Sequence, residues 1–389
     1  MSAHPCAGER VKLEIADIVR AHRAELEAKQ PVTLEQRRVL SAIALCRTSA
    51  LGGHLEVCRS CPLKRPSYNS CRNRHCPKCQ ALAQERWIAS RGEKLLAVGH
   101  FHAVFTVPSE LRALAQRAPR VVYGALFQAA SATLQELARS RVKATLGITL
   151  VLHTWTRELH YHPHVHAIVS AGGLTASGWK SMSLKYLFPV EVMGALLCGK
   201  MLTLLREAHK AGKLPGTSAV LEQLLRRLKR HNWVVYVKKA FRHAEHVLKY
   251  LGRYTHRVAI SNSRFVSISQ ELVTFRTKNG KVISLPPREF LRRFLQHILP
   301  KGLQKIRHYG LYAAAADEQL QRAREALECS GTSSEQTRIN IARLKTWQEA
   351  LVHLTGRDPS LCPNCGGQLE HRPLAAEARA PPSEPLHAS

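Results

Sequence analysis

The chain has 389 residues, 45% hydrophobic and 22% charged, which is enough apolar material for a sizeable core and excludes a disordered tail protein. Lys and Arg number 58 against 28 Asp and Glu, and the formal charge of +30 points to a polyanionic partner, nucleic acid first. No apolar run reaches the ~18 residues of a membrane span, and the first twelve residues lack the apolar core of a secretory signal. The expectation is therefore a cytosolic protein with no membrane partner, whose cysteines meet reducing conditions.

Residues 11–47 read as helices, broken at Pro31 and restarted at Thr33, where Gln36 three residues on makes a capping-box pattern. Residues 46–80 crowd Gly, Pro, Asn and six Cys with little apolar periodicity, the mark of a small segment stapled by metal. Helix resumes near Ala81. FHAVFTV (101–107) reads as a strand ended by Pro108, and 109–141 as helix interrupted near Pro119. GITLVLHTW and HVHAIVSAGG read as two strands joined by the 156–162 loop. Residues 188–230 are largely helical, WVVYVKK is a fourth strand, and a helix is expected from about His243 to Tyr254. VAISN, FVSIS and VTFRT read as short strands, 289–298 as a basic helix, 313–352 as polar helix and 373–389 as disordered. Strands separated by helices, with one hairpin, give an α+β fold: an antiparallel sheet covered by helices.

Cys58-x2-Cys61 and Cys76-x2-Cys79 match the two knuckles of a tetrahedral zinc site, each tight turn placing two thiolates on one side of a bend. They are the expected quartet. Cys46, His54, Cys71 and His75 are further ligands within reach, which leaves a second ion or another quartet open; Cys71 and His75 lie nearest the second knuckle. The basic surround, Arg72 and Arg74 included, suggests that this module lies on phosphates. Cys362-x2-Cys365, in CPNCGG, resembles half a zinc ribbon with no second pair after it. His371 and His353 are its nearest partners, and a simple turn is the competing reading.

The densest polar cluster is His160-x-His162-Pro-His164-Val-His166. With 21 histidines, roughly one His-x-His pair is expected by chance, so the pair alone reads as a solvated face. In a strand, however, His164 and His166 share a face while Val165, Ala167 and Val169 take the other, and two imidazoles on one face are pre-arranged for a divalent metal. A third ligand should come from a neighbouring element: His153 first, then His162, then Glu245. Tyr250 and Tyr254 fall at i and i+4, on one helix face, beside an apolar stripe of Ala244, Val247, Leu248 and Leu251. Gly252 costs that helix ~1 kcal/mol relative to Ala, which calls for close approach of either a DNA backbone or another helix.

These motifs resemble one known family. CRTSALGGHLEVC (46–58), YNSCRNRHCPKCQ (68–80), FHAVFTVP, VLHTW, HPHVHAIVSAGG (162–173), YLGRYTHRVAISNSR (250–264), EFLRRFLQHILP and IRHYG are similar to segments of the two-tyrosine rolling-circle transposases of bacterial insertion sequences, members of the HUH (His–hydrophobic–His) nuclease superfamily. The resemblance implies an HUH-type sheet in which His164 and His166, with His153 from the preceding strand, bind Mg²⁺ or Mn²⁺. It implies Tyr250 and Tyr254 as paired nucleophiles that form 5′-phosphotyrosine links, and a zinc-binding DNA-recognition module at the cysteines. Arg253, Arg257, Lys238 and Lys239 are then expected near phosphates. The implied division is 1–45 helices, 46–95 zinc module, 100–312 catalytic domain, 313–372 helical C-terminal region and a tail. The chain lacks a G-x-x-x-x-G-K-[ST] motor motif, so a host helicase and polymerase are expected partners. A plasmid replication initiator or relaxase shares the chemistry, and a zinc-dependent DNA-binding regulator without catalysis would explain the charge and the cysteines alone.

Overall fold

The computed structural model describes residues 13–241, 246–247, 252, 259–329 and 346–374. Tyr250, Tyr254, Arg253, Arg257 and Glu245 lie outside the described residues. The described residues begin with two helices, α1 (Ile15–Lys29) and α2 (Leu34–Leu45). The cap at Thr33 forms as its sequence implies: Thr33 Oγ1 accepts from the Gln36 N–H at 3.2 Å, and Gln36 Oε1 accepts from the Thr33 N–H at 2.9 Å. The cysteine segment holds a hairpin, β1 (Gly53–Cys58) and β2 (Lys64–Tyr68), before α3 (Gln80–Gly92). Then follow β3 (His100–Thr106), α4 (Arg112–Arg117), α5 (Pro119–Leu137), β4 (Thr145–Trp155), β5 (Tyr161–Thr175) and β6 (Gly178–Ser181). Helices α6 (Val190–Lys210) and α7 (Ser218–Arg230) precede β7 (Val235–Phe241). Beyond it come β8 (Phe265–Ile268), β9 (Val273–Arg276), β10 (Val282–Leu285), α8 (Pro287–Leu295), β11 (Ile306–Gly310), α9 (Asp317–Cys329), α10 (Trp347–Thr355) and β12 (Leu369–Pro373).

The principal sheet has six strands, in the order β11-β4-β5-β3-β7 with β6 paired to β5, every pairing antiparallel. The fold is the expected α+β class. Alternation divides the central strands between two environments. One face carries Phe101, Ala103, Phe105, Leu150, Leu152, Val165, Ala167 and Val169, buried with the apolar sides of α5, α6 and α7 in the largest core. The other carries histidines, and is closed at one end by a smaller core that gathers Val151 and Ile168 of the sheet with Val247, Tyr312 and Leu320.

A third core unites the two N-terminal helices, Cys46, Cys76, the β8–β10 sheet and α8, through Ile18, Leu40, Phe275, Phe290 and Phe294. The segment 259–298, grouped by sequence with the catalytic domain, thus shares its core with α1 and α2. β12, grouped with a separate C-terminal region, pairs with β1 over five residues, from His54 opposite Pro373 to Cys58 opposite Leu369.

Some local readings are corrected. VAISN is no strand among its described residues: Ala259 has φ 58°, which breaks an extended run, and a short 3-10 turn starts at Asn262. The β1–β2 hairpin, β6, β10, β11 and β12 were not legible: all are short, and β11 and β12 pair with the distant strands β4 and β1. No helix of the described residues is long and apolar enough to cross a membrane.

Candidate active site and zinc sites

The histidine face is built by register. On β5, His164 and His166 are two residues apart; on β4, His153 lies directly opposite His164. One ring nitrogen from each of the three comes within 4.8 Å of the others. His153 and His166 are buried, and His153 is stacked on Trp155 with ring centroids 4.4 Å apart. His162, on the same strand face, instead places Nδ1 3.3 Å from an Arg112 guanidinium nitrogen, and stands outside the triplet.

Two further contacts orient these rings. His164 Nδ1 lies 2.7 Å from the His162 carbonyl oxygen, to which it can only donate, so its Nε2 is left as the ligand atom. His166 Nδ1 sits 2.8 Å from His102 Nε2, from the neighbouring strand β3. His102 was not singled out in the sequence; the alternation of FHAVFTV, with Phe101, Ala103 and Phe105 in the core, could have placed it on this face. Loss of water, followed by repulsion from neighbouring charges, pulls His102 down to about 4 and holds His166 well below the usual imidazole value. Burial likewise pulls His164 down to about 4. The rings are neutral at pH 7, the state in which imidazole ligates metal.

The surround is cationic. Lys238 on β7 is in register with His102, and its charge and that of Lys278 both bear on His166. Lys278 follows β9 and was missed by sequence reasoning, which had no means of folding that turn toward β5. Tyr236, exposed two residues before Lys238, is in register with Val104 and so on the same sheet face. Lys239 is exposed as well.

The two tyrosines fall outside the described residues, but neighbours in their segment are placed. Val247 is buried in the core that holds Val151 and Ile168, which flank the histidine register. Gly252 meets α3: a Cβ there would lie 2.4 Å from Ile88 Cδ1 and 3.4 Å from Gln84 Cγ. Of the two explanations for this glycine, close helix–helix contact is the one the structure provides, through Ile88 and Gln84 of α3.

The expected quartet of Cys58, Cys61, Cys76 and Cys79 does not come together. Cys76 and Cys79 group with Cys46 and Cys71, and Cys58 and Cys61 group with Cys362 and Cys365, each set with its sulfurs within 4.8 Å of one another. The reason is the β1–β2 hairpin, which carries the first knuckle toward β12. In the first set, Cys46 Sγ and Cys71 Sγ lie 3.4 and 3.6 Å from Cys79 Sγ. The Cys79 thiol is pulled far down by hydrogen bonds from Cys71 and Cys76, which favours a thiolate. His75 belongs to neither set: its Nδ1 faces Asn73 Oδ1 at 3.2 Å and its Nε2 accepts from the Leu299 N–H at 3.1 Å. Burial pulls it to about 3.

Arg72 is exposed, with φ 51°. Arg74 is turned inward, donating to the carbonyls of Leu299, Pro300 and Leu303 at 2.8–3.1 Å, so it ties the cysteine segment to the loop after α8 instead of facing phosphates. His54, Glu56 and His371 also converge, with Glu56 Oε2 accepting from Arg65 at 2.6 Å.

Comparison with known proteins adds a separate line. A family described as "Putative transposase" matches residues 147–319, and one described as "Transposase zinc-binding domain" matches residues 18–107. The chain is 39% identical over 372 residues to "Putative transposase y4qJ" of Sinorhizobium fredii, covering 90% of this chain and 92% of that one. It is 28% identical over 366 residues to the "Transposase for insertion sequence element IS801" of Pseudomonas savastanoi pv. phaseolicola, covering 90% and 85%. No solved structure matches the chain.

Proposed function

The chain belongs to the two-tyrosine transposases of insertion sequences, and from that premise we propose that it cuts and rejoins single-stranded DNA at element ends through Tyr250 and Tyr254. The observation that carries the reading is the register of His153 against His164, which gathers three imidazoles, those of His153 and His166 buried, into one candidate site for a divalent cation. All three donors are uncharged, so a Mg²⁺ or Mn²⁺ held by them keeps its full charge for a phosphodiester. Bound there, the cation supplies Lewis-acid polarisation of the scissile phosphate.

This chain's own residues do the rest. A phenol with an ordinary pKa near 10 is a weak nucleophile at neutral pH, and the cationic surround of Lys238 and Lys278 favours its deprotonated form. The tyrosine oxygen bonds to phosphorus as the 3′ oxygen leaves, giving a 5′-phosphotyrosine and a free 3′-OH. Attack of a 3′-OH on that link then restores a phosphodiester and releases the tyrosine, so no ATP is spent. A second tyrosine permits a second cut while the first end is held. Tyr236 and Lys238, exposed together on the edge strand of this face, suit base stacking and phosphate contact along a single strand. The zinc-binding domain, with Cys46, Cys71, Cys76 and Cys79 as the proposed ligands of one ion, would present Arg72 to the DNA. Strand displacement is assigned to a host helicase and polymerase, since the chain has no nucleotide-motor signature.

The test is an adduct assay. The full chain, a labelled single-stranded element end and Mn²⁺ should give a protein–DNA species that survives SDS. Tyr250→Phe and Tyr254→Phe together should abolish it. DNA binding with no adduct under Mg²⁺ or Mn²⁺, or an adduct that persists in the double variant, would overturn the reading in favour of a regulator.

A further inference from the structure

We infer that Cys58, Cys61, Cys362 and Cys365 bind a second zinc ion, and that this ion makes one module of the two ends of the chain. Neither half is a site alone. Each Cys-x2-Cys knuckle offers two sulfurs, and zinc wants four in a tetrahedron with Zn–S of about 2.3 Å, which sets the sulfurs roughly 3.8 Å apart. The structure has Cys58 Sγ 3.5 Å from Cys365 Sγ and Cys61 Sγ 3.6 Å from Cys362 Sγ, a separation suited to a shared ion and far from a covalent S–S bond. The second pair of partners is separated by 301 positions in the chain. The match to the zinc-binding family ends at residue 107, so two of the four donors lie outside anything that family describes.

The protein around the sulfurs is built for the same end. The Cys58 N–H donates to Leu63 O at 3.0 Å and the Cys362 N–H to Gly367 O at 2.8 Å, closing each knuckle on itself. The Arg59 N–H donates to Gln368 O at 3.1 Å, joining one knuckle to the other. A Cβ on Gly367 would lie 2.5 Å from Ser60 Oγ, so only glycine lets the two turns approach this closely. The backbone N–H of Ser60 donates to Cys58 Sγ at 3.3 Å, orienting that sulfur within its turn. Register then extends the junction: β12 runs antiparallel along β1, and the His371 ring lies 4.5 Å from that of His54.

The consequence reaches further than a clamp. α10 sets His353 Nδ1 3.5 Å from Glu85 Oε2 on α3, the helix that starts directly after Cys79 and meets Gly252 at Ile88. The C-terminal segment is therefore part of the zinc module, not an appendage of it. The inference is independent of the nuclease reading, because it concerns metal content and not cleavage.

The experiment counts zinc. Native mass spectrometry of the full chain, purified under reducing conditions with zinc, should show two tightly held ions per chain, one for each cysteine quartet. Cys362→Ser with Cys365→Ser should halve that count, leaving the Cys46, Cys71, Cys76 and Cys79 ion in place. A thiol-protection map of the unmodified protein decides the matter even if the variant misfolds: Cys58, Cys61, Cys362 and Cys365 should resist alkylation as a group and lose that resistance together on chelation, while exposed Cys329 reacts throughout. One zinc per chain, with Cys362 and Cys365 alkylating as fast as Cys329, would overturn the inference. So would an undiminished count in the double variant, or recovery of the four cysteines as disulfides in the zinc-loaded protein.

Discussion

The two kinds of candidate metal cluster in this protein are assembled over different sequence ranges. The three histidines come from one hairpin, β4 and β5, and need only the strand period and one register. The cysteine quartets draw on residues dispersed from Cys46 to Cys365, and their partners are exchanged relative to the simplest spacing. The difference teaches that a local site inherits its geometry from secondary structure, whereas a dispersed site is a product of the fold and in turn holds it. Removing a histidine should cost chemistry, and removing a cysteine should cost structure.

The sharpest way to break this contrast is to change one residue of each kind. His153→Ala should lower adduct yield by more than about 100-fold, beyond the effect usual for outer-shell partners, with a melting temperature close to that of the parent. Cys76→Ser with Cys79→Ser should lose zinc and a large part of the melting transition, because binding to a structural site is folding free energy. Adduct gels and thermal melts on both variants decide it; a His153 variant that melts early with its cleavage intact would invert the comparison.

His102 tests whether the local site has an outer layer. His102→Ala removes the 2.8 Å partner of His166 and should weaken Mn²⁺ affinity or cleavage by about 10–100-fold. A Mn²⁺ titration of adduct yield reads it, and an unchanged curve would make His102 a bystander.

Gly252 tests the joint between the two regions. Gly252→Ala drives a methyl into Ile88, which must turn away or push the tyrosine segment aside. A displacement of ~1 Å near reacting groups can cost up to ~100-fold, and a loss of several-fold is expected here. Ile88→Ala should restore much of the lost yield by vacating the space, and failure of that rescue would count against the α3 contact.

The smallest effect separates framework histidines from ligands. His100, His297 and His308 are each pulled from 6.5 to about 4, by burial first. Their folded values lie below the unfolded one, so the folded state binds fewer protons. Their contribution is present above pH 6.5 and is lost as pH falls from 6.5 toward 4. Denaturant midpoints at pH 7 and pH 5 should differ accordingly, and a flat profile would contradict the burial of these rings.

Much of the histidine site was legible. His164-Val165-His166 in an apolar run dictates two imidazoles on one face, because successive strand side chains alternate. The order of candidates for the third position was readable only as far as the hairpin loop; which of His153 and His162 comes nearer depended on register, while Glu245 lies outside the described residues. His153 does, and His162 is engaged by Arg112. For His75 and Arg74 the sequence pointed to metal and phosphate, and both are instead used within the protein, against Leu299 and its neighbours, by a loop more than 200 residues away.

The sequence by itself determined what depends on neighbours within a few residues: the helix cap at Thr33, the strand alternation that puts His164 with His166, the two zinc-type knuckles and the basic charge. Only the tertiary structure decided which knuckle meets which cysteines, that the charge of Lys278 bears on His166, and that β12 closes on β1. The physical reason is range. Dihedral preferences and side-chain periodicity are local, while partners across hundreds of residues are chosen by core packing and strand pairing, which no short window of sequence contains.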